Sequence, residues 1–228
     1  GTWDGGCEHY CCSRPFTMGV GMRKQVGRQQ LLDRATELFR AKGYAGTSID
    51  EVVRACGITK GSLYHHFRGK DDLVLAVLEQ LHGYYQEHIF SQIMSVKEPG
   101  TQALRDFNAA IEAFFLSHPD GCLFANLSLE GGARHELLGE PIRRFFEAWR
   151  CCYATVFSMR YTADEARALA EEALAAVQGA ILMFRIEGDP GALRRVHGRL
   201  LTQCDGSPRS EGSPGNIMAT VPPPPAVA

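Results

Sequence analysis

From Leu31 to Leu201 apolar residues return every three or four positions, and no segment alternates convincingly with the two-residue period of a strand. That periodicity restricts the chain to packed helices. Leu31, Ala35, Leu38 and Phe39 form a first stripe, ended by Gly43 at a C-cap position. Thr47, with Asp50 three residues on, reads as a variant capping box opening a second helix, with Ile49, Val52, Val53 and Cys56 facing inward. Gly57 and Ile58 make a short turn. Thr59 is the N-cap of a third helix, Lys60 to Phe67, buried through Leu63 and Phe67. A fourth begins near Lys70 or Asp71, with Leu73, Val74, Val77, Leu78 and Leu81 as its stripe.

Helix, short glycine-bearing turn and helix over Ser48–Phe67 is the helix-turn-helix pattern. Its second helix carries Lys60, Ser62, Tyr64, His65 and His66 outward, with no carboxylate among them. Donors without nearby anions suit phosphate, and a short helix fits a major groove ~12 Å wide. Charge points the same way. Between Arg23 and Lys70 ten Lys/Arg face four Asp/Glu; between Asp71 and Gln203 twelve face eighteen. A basic first third on an acidic body, in a chain of formal charge −2, suits a polyanion at one end and excludes a uniformly basic coat protein.

TSIDEVVRACGITKGSLYHHFRGKDDL resembles the DNA-binding unit of the TetR family of transcriptional regulators. The matching elements are Thr47, Gly57, the run Lys60-Gly61-Ser62-Leu63-Tyr64-His65-His66-Phe67, and Lys70-Asp71-Asp72-Leu73. The resemblance implies an all-α dimer with an N-terminal three-helix helix-turn-helix domain. A larger C-terminal helical domain would then bind a small-molecule inducer and dimerise. It places Thr47, Ser48 and Thr59 near phosphate, and Lys60 and Ser62 at base edges. Gly61 allows close backbone approach, while Tyr64, His65 and Lys70 contact the phosphate backbone. His66 is read as packing. Arg23, Lys24 and Arg28 are either a groove or phosphate arm or a solvated terminus.

The expected organisation is a disordered extension over 1–22, the helix-turn-helix domain over 23–70, the ligand and dimer domain over 71–203, and a disordered tail over 204–228 rich in Pro, Gly and Ser. In the larger domain, helices are expected over Thr101–Ser117, Cys122–Ala133, Pro141–Tyr161, Thr162–Glu187 and Pro190–Gln203. Thr162–Glu187 is apolar on several faces, which fits either core alone or a helix shared with a dimer interface. The resemblance favours the interface. Phe107, Ile111, Phe114, Leu123, Phe124, Leu127, Trp149, Tyr153 and Phe157 are either plain core or the walls of an apolar cavity, with Asn126, Ser128 and Tyr153 as polar selectors.

The segment Pro119-Asp120-Gly121-Cys122-Leu123-Phe124-Ala125-Asn126-Leu127-Ser128-Leu129-Glu130 resembles a P-x-G-C-L-x-x-N-L-x-x-E stretch of a TetR subgroup in which some members sense electrophiles or oxidants. Cys122 is either such a sensor, activated by a helix N-terminus, or a small buried hydrophobe. Cys7, His9, Cys11 and Cys12 lack paired CxxC spacing, so no metal is expected, nor any cofactor. The common phosphate-loop, dinucleotide, zinc-protease and serine-hydrolase motifs are absent, and an enzyme is not expected. No apolar run nears ~18 residues and the first residues lack a signal-peptide stretch, so the expected compartment is the cytoplasm.

Overall fold

The computed structural model describes residues 27–130 and 134–206, and among them every regular element is helical. Expectations for the rest of the chain lie outside the described residues. They include the terminal extension, Arg23 and Lys24, the Cys7–Cys12 cluster, Ala133 and the expected tail from 207 on, whereas Cys204 and Asp205, expected in that tail, belong to the last helix, where Cys204 is buried.

Helix α1 spans Arg28–Lys42 and α2 spans Ile49–Cys56. The N-cap of α2 is Ser48, not Thr47. Ser48 Oγ accepts from the Glu51 N–H at 3.2 Å, and Glu51 returns a bond to the Ser48 N–H at 2.9 Å. Thr47 is buried instead, its hydroxyl donating to the carbonyls of Gly43 at 2.8 Å and Leu38 at 3.2 Å. Gly57 closes α2 at φ 65°, in the left-handed region that favours glycine. Thr59 caps α3, Lys60–Tyr64, which stops short of Phe67; Phe67 packs inward from the following turn. Helix α4, Lys70–Tyr85, carries the chain from this unit into the body.

A π-helical turn, Gln86–Phe90, links α4 to α5, Ser91–Met94. The wider winding puts Ile89 and Phe90 side by side into the core. Then come α6, Thr101–Ser117, and a short α7, Leu123–Ser128, which ends before the residue expected from periodicity. Helix α8, Arg134–Phe157, begins a full turn and more ahead of Pro141, which sits inside it. Proline there removes one N–H from the ladder without stopping the helix. Helix α9, Ala163–Glu187, opens on the Thr162/Glu165 capping box read from sequence, and α10, Gly191–Asp205, completes the body.

Helix α9 packs between α8 and α10, α6 lies on α10, and α4 contacts both α1 and α8. Helix α7 touches α8 on one side and α1 on the other. The small side chains Ala166, Ala170, Ala173, Val177 and Ala180 let α9 sit close to its neighbours. No helix among the described residues is long and apolar enough to cross a membrane.

Candidate nucleic-acid interface and effector core

The short α3 presents a mixed face. Lys60, Gly61, Ser62, Tyr64 and His65 are exposed, while Leu63 is fully buried and anchors the helix. Thr59 Oγ accepts from the Ser62 N–H at 3.2 Å, holding the first turn. A Cβ on Gly61 would find nothing nearer than Thr59 Oγ1 at 3.9 Å, so this backbone is open to an approaching surface. Lys60 is not alone: its ammonium pairs with Asp50 of α2 at 2.8 Å, both side chains more than half exposed. The face therefore borrows a carboxylate from the neighbouring helix, which reading α3 by itself misses. An exposed pair of this kind contributes little and opens easily, leaving Lys60 able to turn to another acceptor.

Flanking residues are more constrained. Ser48 is exposed, but its N–H and hydroxyl both engage Glu51. The hydrogen bond from Lys42 holds the Glu51 carboxyl down to about 2, with the Ser48 N–H adding to it. Thr47 does not reach the surface at all, since its N–H is also spent on the Tyr44 carbonyl. It is a structural pin between α1 and α2, not a phosphate contact. Lys70 Nζ lies 4.1 Å from the centre of the Tyr44 ring, and the Tyr44 hydroxyl donates to Asp71. His66 is half-buried beside His65 and Phe67, as packing would have it. Arg28 lies over the Phe67 ring at 5.1 Å.

In the body, every aromatic and aliphatic residue proposed as cavity wall is buried: Phe107, Ile111, Phe114, Leu123, Phe124, Leu127, Trp149, Tyr153 and Phe157. The structure brings most of them into one stacked core. Phe124 lies flat on Phe145 at 3.7 Å, Phe107 meets Tyr153 edge-on at 5.3 Å, and Tyr85 touches Phe114, Phe145 and Trp149. These rings pack against one another between the helices. A cleft of about 600 Å³ lies elsewhere, between α1, α4 and α8, lined by Arg28, Asp72, Glu79 and Arg144. Polar atoms are trapped in the packed core. The Trp149 indole N–H points towards the Tyr153 hydroxyl one turn on, too loosely for a well-formed hydrogen bond, and both side-chain atoms of Asn108 lack partners. Burial raises the Tyr153 hydroxyl above its ordinary range. Asn108 and His197, whose Nε2 has no hydrogen-bond partner, carry no sequence signal beyond a polar residue on an apolar stripe.

Asn126, expected as a polar selector, is engaged within the chain. Its amide donates to the Asp120 carbonyl at 3.1 Å and accepts from Arg185 of α9 at 3.0 Å, tying the α6–α7 turn to the body. Ser128 spends its hydroxyl on the Ala125 carbonyl. Cys122 is buried, and burial pushes its thiol up to about 11 despite the Ala125 and Phe124 N–H groups and the nearby Arg40 guanidinium. The helix-terminus argument fails because α7 is only six residues long and the thiol is out of water.

Sequence reasoning also missed Glu130. Its carboxylate accepts from the backbone N–H of Tyr44 and of Ala45, each at 2.7 Å, across from the α1–α2 turn. Gly43, at φ 72°, makes room for it: a Cβ there would lie 2.1 Å from Glu130 Oε1. A body residue thus holds the helix-turn-helix unit by its backbone.

The comparisons agree with this architecture. The family description "Bacterial regulatory proteins, tetR family" matches residues 31–77, and the C-terminal domain of LmrA/YxaF-like transcriptional regulators matches residues 101–199. The transcriptional repressor DhaR of Mycobacterium sp. strain GP1 is 30% identical over 172 residues, 73% of this chain and 86% of its own. The transcriptional regulator AcuR of Cereibacter sphaeroides is 29% identical over 185 residues, 76% of this chain and 84% of its own. Among solved structures, a TetR regulatory protein from Rhodobacter sphaeroides superposes with a TM-score of 0.67 at 28% identity, over 76% of this chain and 96% of that one. With a capped recognition helix on one end and a helical body clamped to it, the chain belongs to the TetR family of DNA-binding transcriptional regulators.

Proposed function

We propose that this chain is a homodimeric repressor, acting in the cytoplasm, that leaves a palindromic operator when a small molecule binds its body. The exposed α3 face of Lys60, Gly61, Ser62, Tyr64 and His65 carries the reading. Lys60 and Ser62 read base edges. Tyr64 and His65 bond phosphate, joined by Ser48 and Thr59 at the flanking helix ends and by Lys70. One five-residue helix spans only a few base pairs, so two copies ~34 Å apart are needed for a specific site. Leu182, Met183 and Ile186 of α9 are exposed, Ile186 by 68%, and Gly179 beside them has open space around its Cα. This apolar face is the surface on which a second copy packs. DhaR, a relative of similar length, is named as a repressor, which supports repression here.

Release follows from ligand entry into the aromatic core, which must reorganise because its rings already touch. A reversible ligand is favoured over thiol chemistry, since a thiol near 11 holds little thiolate. The test is a gel shift with the DNA upstream of the protein's own gene. Lys60→Ala should weaken operator binding by ~1–3 kcal/mol and relax base preference. Tyr64→Phe should weaken binding to all sequences alike. Wild-type affinity in both variants overturns the assignment of α3.

A further inference from the structure

Arg40 stands on α1, in the DNA-binding unit, yet it is only 6% exposed. Its guanidinium lies 5.5 Å from the centre of the Phe114 ring at the end of α6. Its Nε is enclosed and has no hydrogen-bond partner. Among the described residues it forms no ion pair. Glu37, one turn earlier, is taken by Arg34 at 2.8 Å, and Asp120 is a solvent-exposed residue of the α6–α7 turn.

The other groups around it are neutral. Burial raises Tyr85 and Cys122, and burial together with Arg40 itself lowers His118. Burial also lowers Arg40, but a guanidinium keeps its proton under ordinary conditions. What results is a largely buried cation that faces one aromatic ring, with Asp120 and Glu37 acting on it only from beyond ion-pair distance. Such a charge is costly to a fold unless something negative joins it.

We propose that the Arg40 guanidinium is the anchor of the effector site, and that the effector carries a single carboxylate. This rests on the reading of the chain as an effector-released regulator. The planar fork of arginine matches the two oxygens of a carboxylate, and one lone cation calls for one negative charge rather than the two of a phosphate. Phe114 and Tyr85, whose rings meet at 4.8 Å, offer an apolar wall for the rest of the ligand. The location has a regulatory consequence. Arg40 belongs to α1 while Phe114 and Cys122 belong to the body, so an anion seated here alters the junction between the two.

The probes are straight-chain monocarboxylates from acetate to octanoate, and benzoate, each beside its neutral amide. They are titrated into the full chain, with the other tryptophan removed as Trp3→Phe. Trp149 fluorescence and the melting temperature report binding, and a parallel gel shift reports operator release. At least one acid should bind and raise the melting temperature, with its amide at least ten-fold weaker. Arg40→Met should lose that response while melting at the wild-type temperature or above, because it removes an uncompensated charge and keeps the stem. Arg40→Lys should keep the charge and lose the fork, binding more weakly. Acids and amides of equal effect, no response to any acid, an Arg40→Met variant that still responds, or one that melts lower each overturn the proposal. Acid binding by a wild-type chain that ignores its operator sinks the regulator reading instead and leaves the anion site standing.

Discussion

Glu130→Ala should detach the body from the α1–α2 turn without unfolding either. The carboxylate takes the Tyr44 and Ala45 N–H groups at 2.7 Å each. Hydrogen bonds to a charged acceptor contribute roughly 1.5–3 kcal/mol apiece. Glu130 is half-buried, and the Ala45 bond faces solvent. Water recovers part of that loss, so the pair together is worth about 2–3 kcal/mol. At about 1.4 kcal/mol per tenfold, local opening becomes roughly 30- to 150-fold more frequent. Hydrogen exchange resolved at the Tyr44 and Ala45 amides reads this directly. Glu130→Gln keeps one good acceptor oxygen and should fall between. Gly43→Ala attacks the same contact from the other side. Its φ of 72° with ψ near 180° is a glycine conformation, costing about 1–3 kcal/mol for any other residue, and its new methyl collides with Glu130. In the Glu130→Ala background the collision disappears, so the two changes should be less than additive. Unchanged exchange at both amides in Glu130→Ala, or a strictly additive cycle, refutes the clamp.

Acid should destabilise the fold through His197, which burial lowers to about 4. Because the folded state favours neutral imidazole, its contribution is complete above pH 6.5 and is lost as pH falls from 6.5 towards 4, by about 3 kcal/mol in all. Urea melts of His197→Leu should show a shallower loss over that window, with His82 and His118, also lowered by burial, leaving a residual slope. A wild-type slope in the variant assigns the effect elsewhere. Leu182→Glu with Ile186→Glu should give a folded monomer with poor operator affinity, since both residues face outward; sedimentation at micromolar concentration checks this, and a persistent dimer removes α9 from the interface. Val177→Glu should instead unfold the chain, because Val177 is wholly buried within its own subunit. Gly57→Ala should lower stability by about 1 kcal/mol through its left-handed φ, with circular-dichroism melting as the readout.

What was legible in the sequence is what neighbours decide. Gly43, Gly57 and Thr59 punctuate α1 to α3 through contacts a few residues away, so the helix-turn-helix stood out before any packing was known. The α2 cap was misplaced by one residue because Thr47-x-x-Asp50 and Ser48-x-x-Glu51 are both acceptable local patterns. Tertiary burial of the Thr47 hydroxyl chooses between them. Pro141 misled because proline usually marks a start, whereas here α8 runs through it. The aromatic positions were readable as buried, but whether rings close on one another or leave space depends on rotamers across α4, α6, α7 and α8. Glu130 and Arg40 were out of reach for a different reason. Glu130 finds its partners 86 and 85 residues back along the chain, and the signature of Arg40 is an enclosed Nε with no hydrogen-bond partner beneath a ring from α6.

The short α7 segment gives these residues a common mechanical meaning. Its leading turn carries Cys122 close to Arg40 and is tied to α9 by Asn126 and Arg185. Its trailing end carries Glu130, which grips the DNA-binding unit at Tyr44 and Ala45. Cys122 caps one end of this six-residue helix, and Glu130 lies two residues past the other. A ligand changes operator affinity only by as much as it binds one arrangement of this junction better than the other. A tenfold change therefore needs about 1.4 kcal/mol of difference, less than the two Glu130 hydrogen bonds can supply when they break in one state and hold in the other. Should a ligand loosen the Glu130 grip, α1 and α3 would lose the spacing that two half-sites demand.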